Sequence, residues 1–343
     1  MKKKISQGFV LIAAGLFLAS CSKPALSRKA MIEDVLTNRP DVTILVTDSG
    51  LGGLSVAADV ASRLPGSGVF RSARIVFYNA LFHANGYNSL GTEEEKARIF
   101  DKVLRAMDKK YRPDMLLIAC NTLSVVYENT AFSKKAPFPV IGIVEEGADL
   151  ITRHFQAHPE ATAIIFGTKT TIESEAHKRL LVARGIPSGQ IVGQACHRLA
   201  GAIERGTDTE ETVGYIRQFV GEALEKAGGT GRPIFGSFNC THFGYTRQQF
   251  AEAFAAAGYP DIELLDPNPL MADFMFRPPY LNRYPRTDVA VEVVSLLEIT
   301  EEKRNAIGPL LRAVSPATAE ALENYLFDPK LFKVAYTPPK KTE

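Results

Sequence analysis

The 343-residue sequence contains no tryptophan, only four cysteines and no extended run of lysine and arginine. Its formal net charge is +2. Proteins that bind nucleic acid usually carry a basic patch or stripe that neutralises phosphates. The sequence therefore predicts no nucleic-acid partner. The length is sufficient for two domains of ordinary size, each with a hydrophobic core of its own.

The apolar run near the N-terminus is shorter than the roughly 20 residues that a membrane-spanning helix needs. It extends over residues 8–18, follows Lys2, Lys3 and Lys4, and ends in Leu18-Ala19-Ser20-Cys21. A basic start followed by a short apolar run is typical of a secretory signal peptide. The last four residues resemble the bacterial lipobox, in which the cysteine is lipidated and becomes the new N-terminus.

We therefore expect residues 1–20 to be a signal peptide, Cys21 to carry the lipid, and residues 21–40 to be a lipidated tether. The membrane partner would be contacted through this lipid, on the periplasmic face. Ser22, where an aspartate would indicate retention, favours the outer membrane over the inner one. An ordinary signal peptide or a short membrane anchor are the alternatives.

The cysteine count points to at least one reactive thiol. If Cys21 is lipidated, an odd set of three cysteines remains in an oxidising compartment, namely Cys120, Cys196 and Cys240. An odd set argues against a complete disulfide framework. Cys196 has no polar motif beside it, so we expect it to be a buried structural residue.

Short apolar runs alternate with amphipathic segments along the chain. The runs at 42–47, 73–78, 115–119 and 140–144 predict strands, and a second series follows at 163–166, 190–194 and 233–238. Helices are predicted over 92–110, 173–184 and 209–227. This alternation is typical of parallel sheets flanked by helices.

The predicted fold class is therefore α/β, with two similar parallel-sheet domains that face each other across a central active-site cleft. The first domain comprises residues 41–144 and 266–300, and the second comprises residues 145–265. Residues 301–343 form a C-terminal extension that is helical and then irregular. Ligands of such sheets bind outside the carboxyl ends of the strands.

Two of the predicted strands end in a cysteine followed by polar residues. The first reads Ala119-Cys120-Asn121-Thr122, and the second reads Asn239-Cys240-Thr241-His242. A buried cysteine taken alone is more often a small apolar residue than a nucleophile. Two such strand ends in facing domains, however, would place one thiol on each side of a shared cleft. Proton transfer at a stereocentre by two bases requires this arrangement.

Five segments together resemble the aspartate/glutamate racemase family, its glutamate racemases most closely. They are Thr47-Asp48-Ser49-Gly50-Leu51-Gly52-Gly53-Leu54-Ser55, Ile118-Ala119-Cys120-Asn121-Thr122, Pro139-Val140-Ile141-Gly142-Ile143-Val144-Glu145, Gly167-Thr168 and Cys240-Thr241-His242-Phe243. The resemblance implies inversion of glutamate or a related acidic amino acid without pyridoxal phosphate, a metal or any other cofactor. Cys120 and Cys240 would exchange the α-proton on opposite faces, assisted by Asp48 and His242.

The resemblance also implies a set of substrate-binding groups. Ser49, Asn121, Thr122, Thr168 and Thr241 match family positions that contact the ammonium and carboxylate groups. Glu204 resembles the family's acid near the ammonium group, with a solvated helix residue as the alternative. Asn85 and Gly86 stand where the family has Tyr-Gly in the carboxylate pocket. This departure from the family pattern affects which substrate side chain the pocket is expected to accept.

Two other motifs carry less weight. Gly50-Leu51-Gly52-Gly53 lacks the glycine spacing and the distant acid of a dinucleotide site. His154 and His158 have the i, i+4 spacing of metal ligands, but Pro159 follows, so a surface helix end is expected rather than a metal site.

Three functions remain open at this point: a racemase of glutamate or a related acidic amino acid, a racemase or isomerase of another substrate, and a non-catalytic amino-acid-binding lipoprotein. A homodimer is also left open. Because facing thiols can oxidise, we expect Cys120 and Cys240 to lie too far apart for a disulfide.

Overall fold

The computed structural model describes residues 27–228, 232–334 and 336. The predicted signal peptide and Cys21 lie outside these residues. Within the described part of the chain, no helix combines the length and the apolar character needed to cross a membrane.

The described chain alternates helices with strands. The helices are α1 (Arg28–Asn38), α2 (Leu54–Ser67), α3 (Glu93–Tyr111), α4 (Asn121–Tyr127), α5 (Ile143–Ala157), α6 (Lys169–Glu173), α7 (Ala176–Ala183), α8 (Leu199–Ile203), α9 (Glu210–Ala227), α10 (Arg247–Ala256), α11 (Glu301–Val314) and α12 (Pro316–Glu323). The strands are β1 (Asp41–Asp48), β2 (Ser72–Asn79), β3 (Met115–Ile118), β4 (Val140–Gly142), β5 (Thr162–Gly167), β6 (Ile191–Ala195), β7 (Ile234–Asn239), β8 (Glu263–Leu265), β9 (Asp288–Ser295) and β10 (Leu326–Phe327).

The strands form two parallel sheets. The first sheet has the order β10-β9-β2-β1-β3-β4, and the second has the order β6-β5-β7-β8. Every pairing is parallel. We call each sheet with its helices the first and the second domain. The predicted α/β class with two parallel-sheet domains is confirmed.

The strand register places the two cysteines at the edges of their sheets where the strands have their carboxyl ends. In the first sheet Thr47 pairs with Ile118, so that Asp48 and Cys120 leave neighbouring strands at the same edge. In the second sheet Gly167 pairs with Asn239, so that Thr168 and Cys240 emerge side by side. The polar residues that follow these strands therefore converge because the carboxyl ends of parallel strands meet at one edge.

Two of the predicted elements differ from the structure by more than one residue at a boundary. The strand expected over 140–144 ends at Gly142, and α5 begins at Ile143. Glu145 and Glu146 lie in the first turn of α5, where the helix dipole favours negative charge. The single helix predicted over 173–184 was wrong. Glu175 has a positive φ of 51° and separates α6 from α7.

The chain returns to the first domain after the second. Strand β9 pairs with β2 along its whole length, and the two-residue β10 pairs with β9. Helices α11 and α12 pack on α2. Apolar side chains fill both faces of the first sheet, including Leu54 and Ile75 on one face and Phe100 and Leu116 on the other.

Candidate active site

Cys120 lies at the junction between β3 and α4. It is the N-cap residue of α4, and its Sγ accepts the backbone N–H of Leu123 at 3.5 Å. Ser49, which follows β1, places its Oγ 3.2 Å from the same sulfur. Burial raises the pKa of the Cys120 thiol well above its usual value, and the charge of Asp48 raises it further. The hydrogen bonds from Ser49 and Leu123 act in the opposite direction.

Cys240 lies at the corresponding corner after β7. Its Sγ is 3.7 Å from Nδ1 of His242, and Nε2 of that ring is 2.9 Å from Glu204 Oε1. A charged carboxylate can only accept, so Nε2 carries a hydrogen and Nδ1 faces the sulfur. The N–H of Gly52 also points at Nε2, at 3.1 Å. That bond would need the other tautomer, and the carboxylate is the stronger partner.

Glu204 and His242 form a buried pair. Burial alone would raise the pKa of Glu204, but the hydrogen bonds and charges of His242 and Lys303 outweigh it and lower the pKa to about 2. Burial likewise disfavours the imidazolium, yet the hydrogen bonds to Cys240 and Glu204 raise the pKa of His242 well above its usual value. The second corner thus holds a proton acceptor for its thiol, supported by a fixed negative charge.

Hydrogen bonds join the two domains around this site. Thr241 Oγ1 donates to Asp48 at 2.6 Å, and the backbone N–H of Leu51 donates to Glu204 at 2.7 Å. The hydroxyl oxygens of Thr122 and Thr168 lie 2.7 Å apart. Each contact links a residue of the first domain to one of the second, so the cleft between the domains is closed.

The glycines after β1 permit this close approach. A Cβ atom on Gly52 would lie 2.6 Å from His242 Nδ1 and 2.7 Å from the backbone nitrogen of His242. A Cβ atom on Gly50 would lie 2.7 Å from Glu204 Oε1. Only a loop without side chains at these two positions can pack against the second cysteine corner.

A cavity of about 220 Å³ lies between the two corners. This volume suits a small ligand rather than a nucleotide. Cys120 and Cys240 both line the cavity. A larger groove of about 740 Å³ runs between the segments around Val125 and Ala176, and neither cysteine lines it.

The cavity brings together every residue that the sequence predicted for the site. Its lining includes Asp48, Ser49, Asn85, Gly86, Cys120, Asn121, Thr122, Thr168, Glu204, Cys240, Thr241 and His242. Glu204 is only 5% exposed and is therefore not a solvated helix residue. Asn85 is exposed, whereas both amide atoms of the buried Asn121 have no hydrogen-bond partner within the described chain. Unpaired amide groups of this kind can receive a polar ligand.

The remaining cysteine and the histidine pair are not part of the cavity lining. Cys196 is buried, and Cys120, Cys196 and Cys240 are all free thiols. His154 and His158 lie at the end of α5, where His154 Nδ1 is 3.2 Å from Glu263 Oε2. The donor atoms of these three residues lie within 4.8 Å of one another.

Tyr87 and Lys303 are among the residues of the cavity wall that sequence reasoning missed. Tyr87 is 1% exposed, and its hydroxyl has no hydrogen-bond partner among the described residues. Burial and the neighbouring Cys120 raise the pKa of Tyr87 well above its usual value. The phenol therefore keeps its proton and can donate a hydrogen bond. Lys303 Nζ lies 2.6 Å from Glu204 Oε2. Tyr87 directly follows the predicted Gly86, but no sequence signal marks Lys303.

Two parallel α/β domains that close over a small cavity, each contributing a thiol with polar partners, define an enzyme class that works by acid–base chemistry. A family model described as Asp/Glu/hydantoin racemase matches residues 52–274. The chain belongs to this family. The predicted family and the predicted enzyme class, an amino-acid racemase, are confirmed.

Individual relatives agree with this assignment. The chain is similar to a glutamate racemase of Syntrophus aciditrophicus, with 30% identity over 69% of this chain and 80% of the relative. It is 28% identical to a glutamate racemase of Lysinibacillus sphaericus, over 47% of this chain and 56% of the relative.

Solved structures show the same fold. A glutamate racemase isoform of Bacillus anthracis matches with a TM-score of 0.59 and 20% identity, over 79% of this chain and 94% of that one. The glutamate racemase of Francisella tularensis, solved with D-glutamate, matches with a TM-score of 0.58 and 18% identity, over 85% of this chain and 95% of that one.

Replacing Gly52 by alanine should push the loop after β1 away from His242 and lengthen the contacts between the two domains. The new methyl group would meet the backbone of His242, and such overpacking costs about 1–3 kcal/mol. Gly66→Ala is the matched control, because an added Cβ there meets nothing and alanine favours a helix by roughly 0.5–1 kcal/mol. Urea unfolding and racemase assays of both variants provide the measurement. A fully active and equally stable Gly52→Ala protein would contradict the tight approach.

Replacing Tyr87 by phenylalanine should leave stability unchanged or slightly higher, because the lost hydroxyl has no partner in the described part of the chain. If this hydroxyl receives substrate, KM rises while folding is unaffected. Tyr111→Phe is the opposite control: it removes a 2.8 Å hydrogen bond to Glu292 away from the cavity and should cost about 1 kcal/mol with KM unchanged. Thermal unfolding and steady-state kinetics separate the two effects, and an unchanged KM for Tyr87→Phe would remove Tyr87 from the binding groups.

Proposed function

We propose that this protein is a cofactor-independent racemase that interconverts L- and D-glutamate, or a related acidic amino acid, with Cys120 and Cys240 as its two acid–base groups. The observation that carries the proposal is a small cavity that both thiols line, one from each domain. The names of the relatives, glutamate racemases, support glutamate as the first substrate to test.

The proposed reaction needs one thiolate and one thiol. The thiolate takes the α-proton and forms S–H, while the electron pair left on Cα is delocalised into the substrate carboxylate. The other thiol then donates its proton to the opposite face of Cα and becomes the thiolate. Each turnover thereby exchanges the protonation states of the two cysteines, and the reverse reaction uses the same groups.

His242 assists at the second corner. Its Nδ1 faces Cys240 at 3.7 Å and can accept the thiol proton, while Glu204 stabilises the imidazolium that results. Cys120 is surrounded by other groups. It has the hydroxyl of Ser49 at 3.2 Å and the charge of Asp48 nearby. In the proposed mechanism, Ser49 stabilises the Cys120 thiolate by a hydrogen bond, and Asp48 favours its return to the thiol.

Hydroxyl and amide groups would hold the substrate. The unpaired amide of Asn121 and the hydroxyls of Thr122 and Thr168 lie in the cavity wall, together with Thr241. Such short donors suit a carboxylate, and at buried positions their hydrogen bonds are stronger than in water. This stabilisation is needed because an amino-acid α-proton is only weakly acidic.

A racemase of a different amino acid is the second candidate. The observation that favours it is the wall around residues 84–88, where Asn85 and Gly86 stand in place of the family's Tyr-Gly pair and the buried Tyr87 follows them. A buried phenol with no partner presents one neutral donor. This wall would contact the substrate side chain and would therefore decide which amino acid is accepted.

We further propose that the enzyme is exported and anchored by a lipid on Cys21, on the periplasmic face and more specifically at the outer membrane. The basic start, the short apolar run and Leu18-Ala19-Ser20-Cys21 support this. An exported racemase would act on amino acids outside the cytoplasm. A homodimer remains a further proposal.

A substrate screen tests the proposed chemistry. The full chain, purified in detergent, should exchange the α-hydrogen of at least one acidic amino acid in D2O and convert each enantiomer into the other. Cys120→Ala and Cys240→Ala should each reduce racemisation by at least about 10²-fold, the contribution typical of a positioned acid–base group. Chiral chromatography and proton NMR provide the measurement.

Cys196→Ala is the matched control for these variants, because Cys196 is a buried free thiol that does not line the cavity. It should retain the exchange activity. Absence of exchange with every common amino acid, or undiminished exchange in the double cysteine variant, would overturn the proposed mechanism. Exchange confined to a non-acidic amino acid would favour the second candidate.

Lipidation is tested separately. Expressed in a Gram-negative host with labelled palmitate, the protein should carry label and fractionate with the outer membrane. Cys21→Ser should abolish the label, whereas Cys196→Ala should retain it. Labelling that persists in Cys21→Ser, or an unlabelled parent protein, would contradict the predicted anchor.

A further inference from the structure

Lys303 connects the C-terminal part of the chain to the cavity. It lies in α11, and its Nζ is 2.6 Å from Glu204 Oε2 in the second domain. Its side chain is 28% exposed and lines the cavity. The match to the family model ends at residue 274, so this lysine comes from a segment outside that match.

The helix that carries Lys303 does not explain a cation at this position. Thr300 is the N-cap of α11 and accepts the N–H of Lys303, which makes Lys303 the third residue of the helix. A capping box has glutamate or glutamine there, and the helix dipole disfavours positive charge in the first turn. Glu301 and Glu302 follow the usual preference, whereas Lys303 does not. Its contact with Glu204 supplies the favourable interaction instead.

Glu204 needs the positive charge. Its side chain is 6% exposed, and a buried carboxylate is costly unless it is paired and hydrogen-bonded. Oε1 receives the Leu51 N–H and the His242 ring, while Oε2 is bonded by Lys303 among the residues that the structure describes. His242 and Lys303 are the cationic side chains that pair with Glu204 in the described chain. An ammonium keeps its charge throughout the pH range in which a histidine titrates.

We propose that Lys303 is a positioning residue of the active site. It is the constant cation that balances Glu204 and thereby allows His242 to give up and regain a proton opposite Cys240. Without Lys303, the charge of Glu204 would be balanced by His242 alone, and the imidazolium would be held in place. This inference rests on the proposed function, because it assigns Lys303 a part in the two-cysteine reaction.

The other charged groups around His242 are negative and favour its protonated form. They are the Cys240 thiolate, Glu204 at the C-terminal end of α8, and Asp48, which accepts a hydrogen bond from the neighbouring Thr241. From the first domain, the backbone N–H of Gly52 faces the ring. The Tyr245 hydroxyl, from the second domain, donates to the carbonyls of Leu51 and Gly52, each at 3.4 Å.

Among the described residues that line the cavity, Arg205 is the other permanent cation, and it pairs with Glu211 at 2.6 Å. Lys303 is therefore the cation that directly offsets the negative groups around His242. Its removal should raise the pKa of His242 further, because one positive charge that opposes the imidazolium is lost.

The test compares charge with hydrogen bonding at position 303. Lys303→Met removes both, Lys303→Gln keeps a donor without charge, and Lys303→Arg keeps the charge. Arg312→Met is the matched control, since Arg312 is an exposed cation near the other end of the same helix. The full chain is purified in detergent, and circular dichroism and thermal unfolding establish that each variant is folded.

The first measurement is independent of activity. Side-chain NMR of protein with labelled histidine rings follows the titration of His242, identified by its signal's absence in His242→Gln. We expect the pKa of His242 to rise in Lys303→Met and Lys303→Gln, or its titration to move beyond the measurable range. Lys303→Arg and Arg312→Met should resemble the parent. An unchanged His242 titration in folded Lys303→Met and Lys303→Gln proteins would overturn the proposal.

The second measurement is the pH dependence of racemisation with the substrate found in the screen. Lys303→Met and Lys303→Gln should lose about tenfold in kcat at neutral pH, a part of the 10²–10⁴-fold that a positioned acid–base group supplies. The part of the pH profile of kcat that follows the protonation of His242 should shift to higher pH, with little change in KM. Normal kinetics in Lys303→Gln would show that a hydrogen bond suffices and would overturn the role of charge. Inactivity of the parent protein would instead reject the proposed function, and the NMR titration would still decide the role of Lys303.

Discussion

The loop between β1 and α2 packs directly against the second cysteine corner, and the geometry of the site depends on this contact. Gly50 and Gly52 have no side chain where one would collide with Glu204 and His242. The approach brings the N–H of Leu51 to the Glu204 carboxylate and the hydroxyl of Thr241 to Asp48. Without it, Cys120 and Cys240 would belong to two separate surfaces, and no single cavity could be lined by both thiols.

Closing the cleft also buries charge, and the fold has to compensate for it. Asp48 and Glu204 both lie in the closed interior, where an unpaired carboxylate would be strongly destabilising. Thr241 donates a hydrogen bond to Asp48, while Glu204 has a backbone donor, an imidazole and an ammonium. The compensation comes from both domains and from α11. The charges that suit acid–base chemistry are therefore also charges that hold the domains together.

Much of this site could be predicted from sequence, because the carboxyl ends of all strands in a parallel sheet lie at the same edge. The corners at Cys120 and Cys240 each follow a short apolar run, and the register of β1 with β3 and of β5 with β7 brings their polar neighbours together. Lys303 could not be predicted, since its contact joins residues 99 apart in the chain and breaks the usual preference of a helix N-terminus. The positive φ of Glu175, which divides α6 from α7, has no sequence signature either.

The two corners are unlike each other, although the proposed reaction is symmetric. Enantiomers have equal free energies, so the equilibrium constant of a racemisation is one, and kcat/KM must be the same in both directions. The corner at Cys120 has a hydroxyl and a nearby carboxylate, whereas the corner at Cys240 has an imidazole, a carboxylate and the ammonium of Lys303. In the proposed enzyme this difference changes which protonation state of the free protein is favoured. It therefore affects kcat and KM separately for each enantiomer, while their ratio stays fixed.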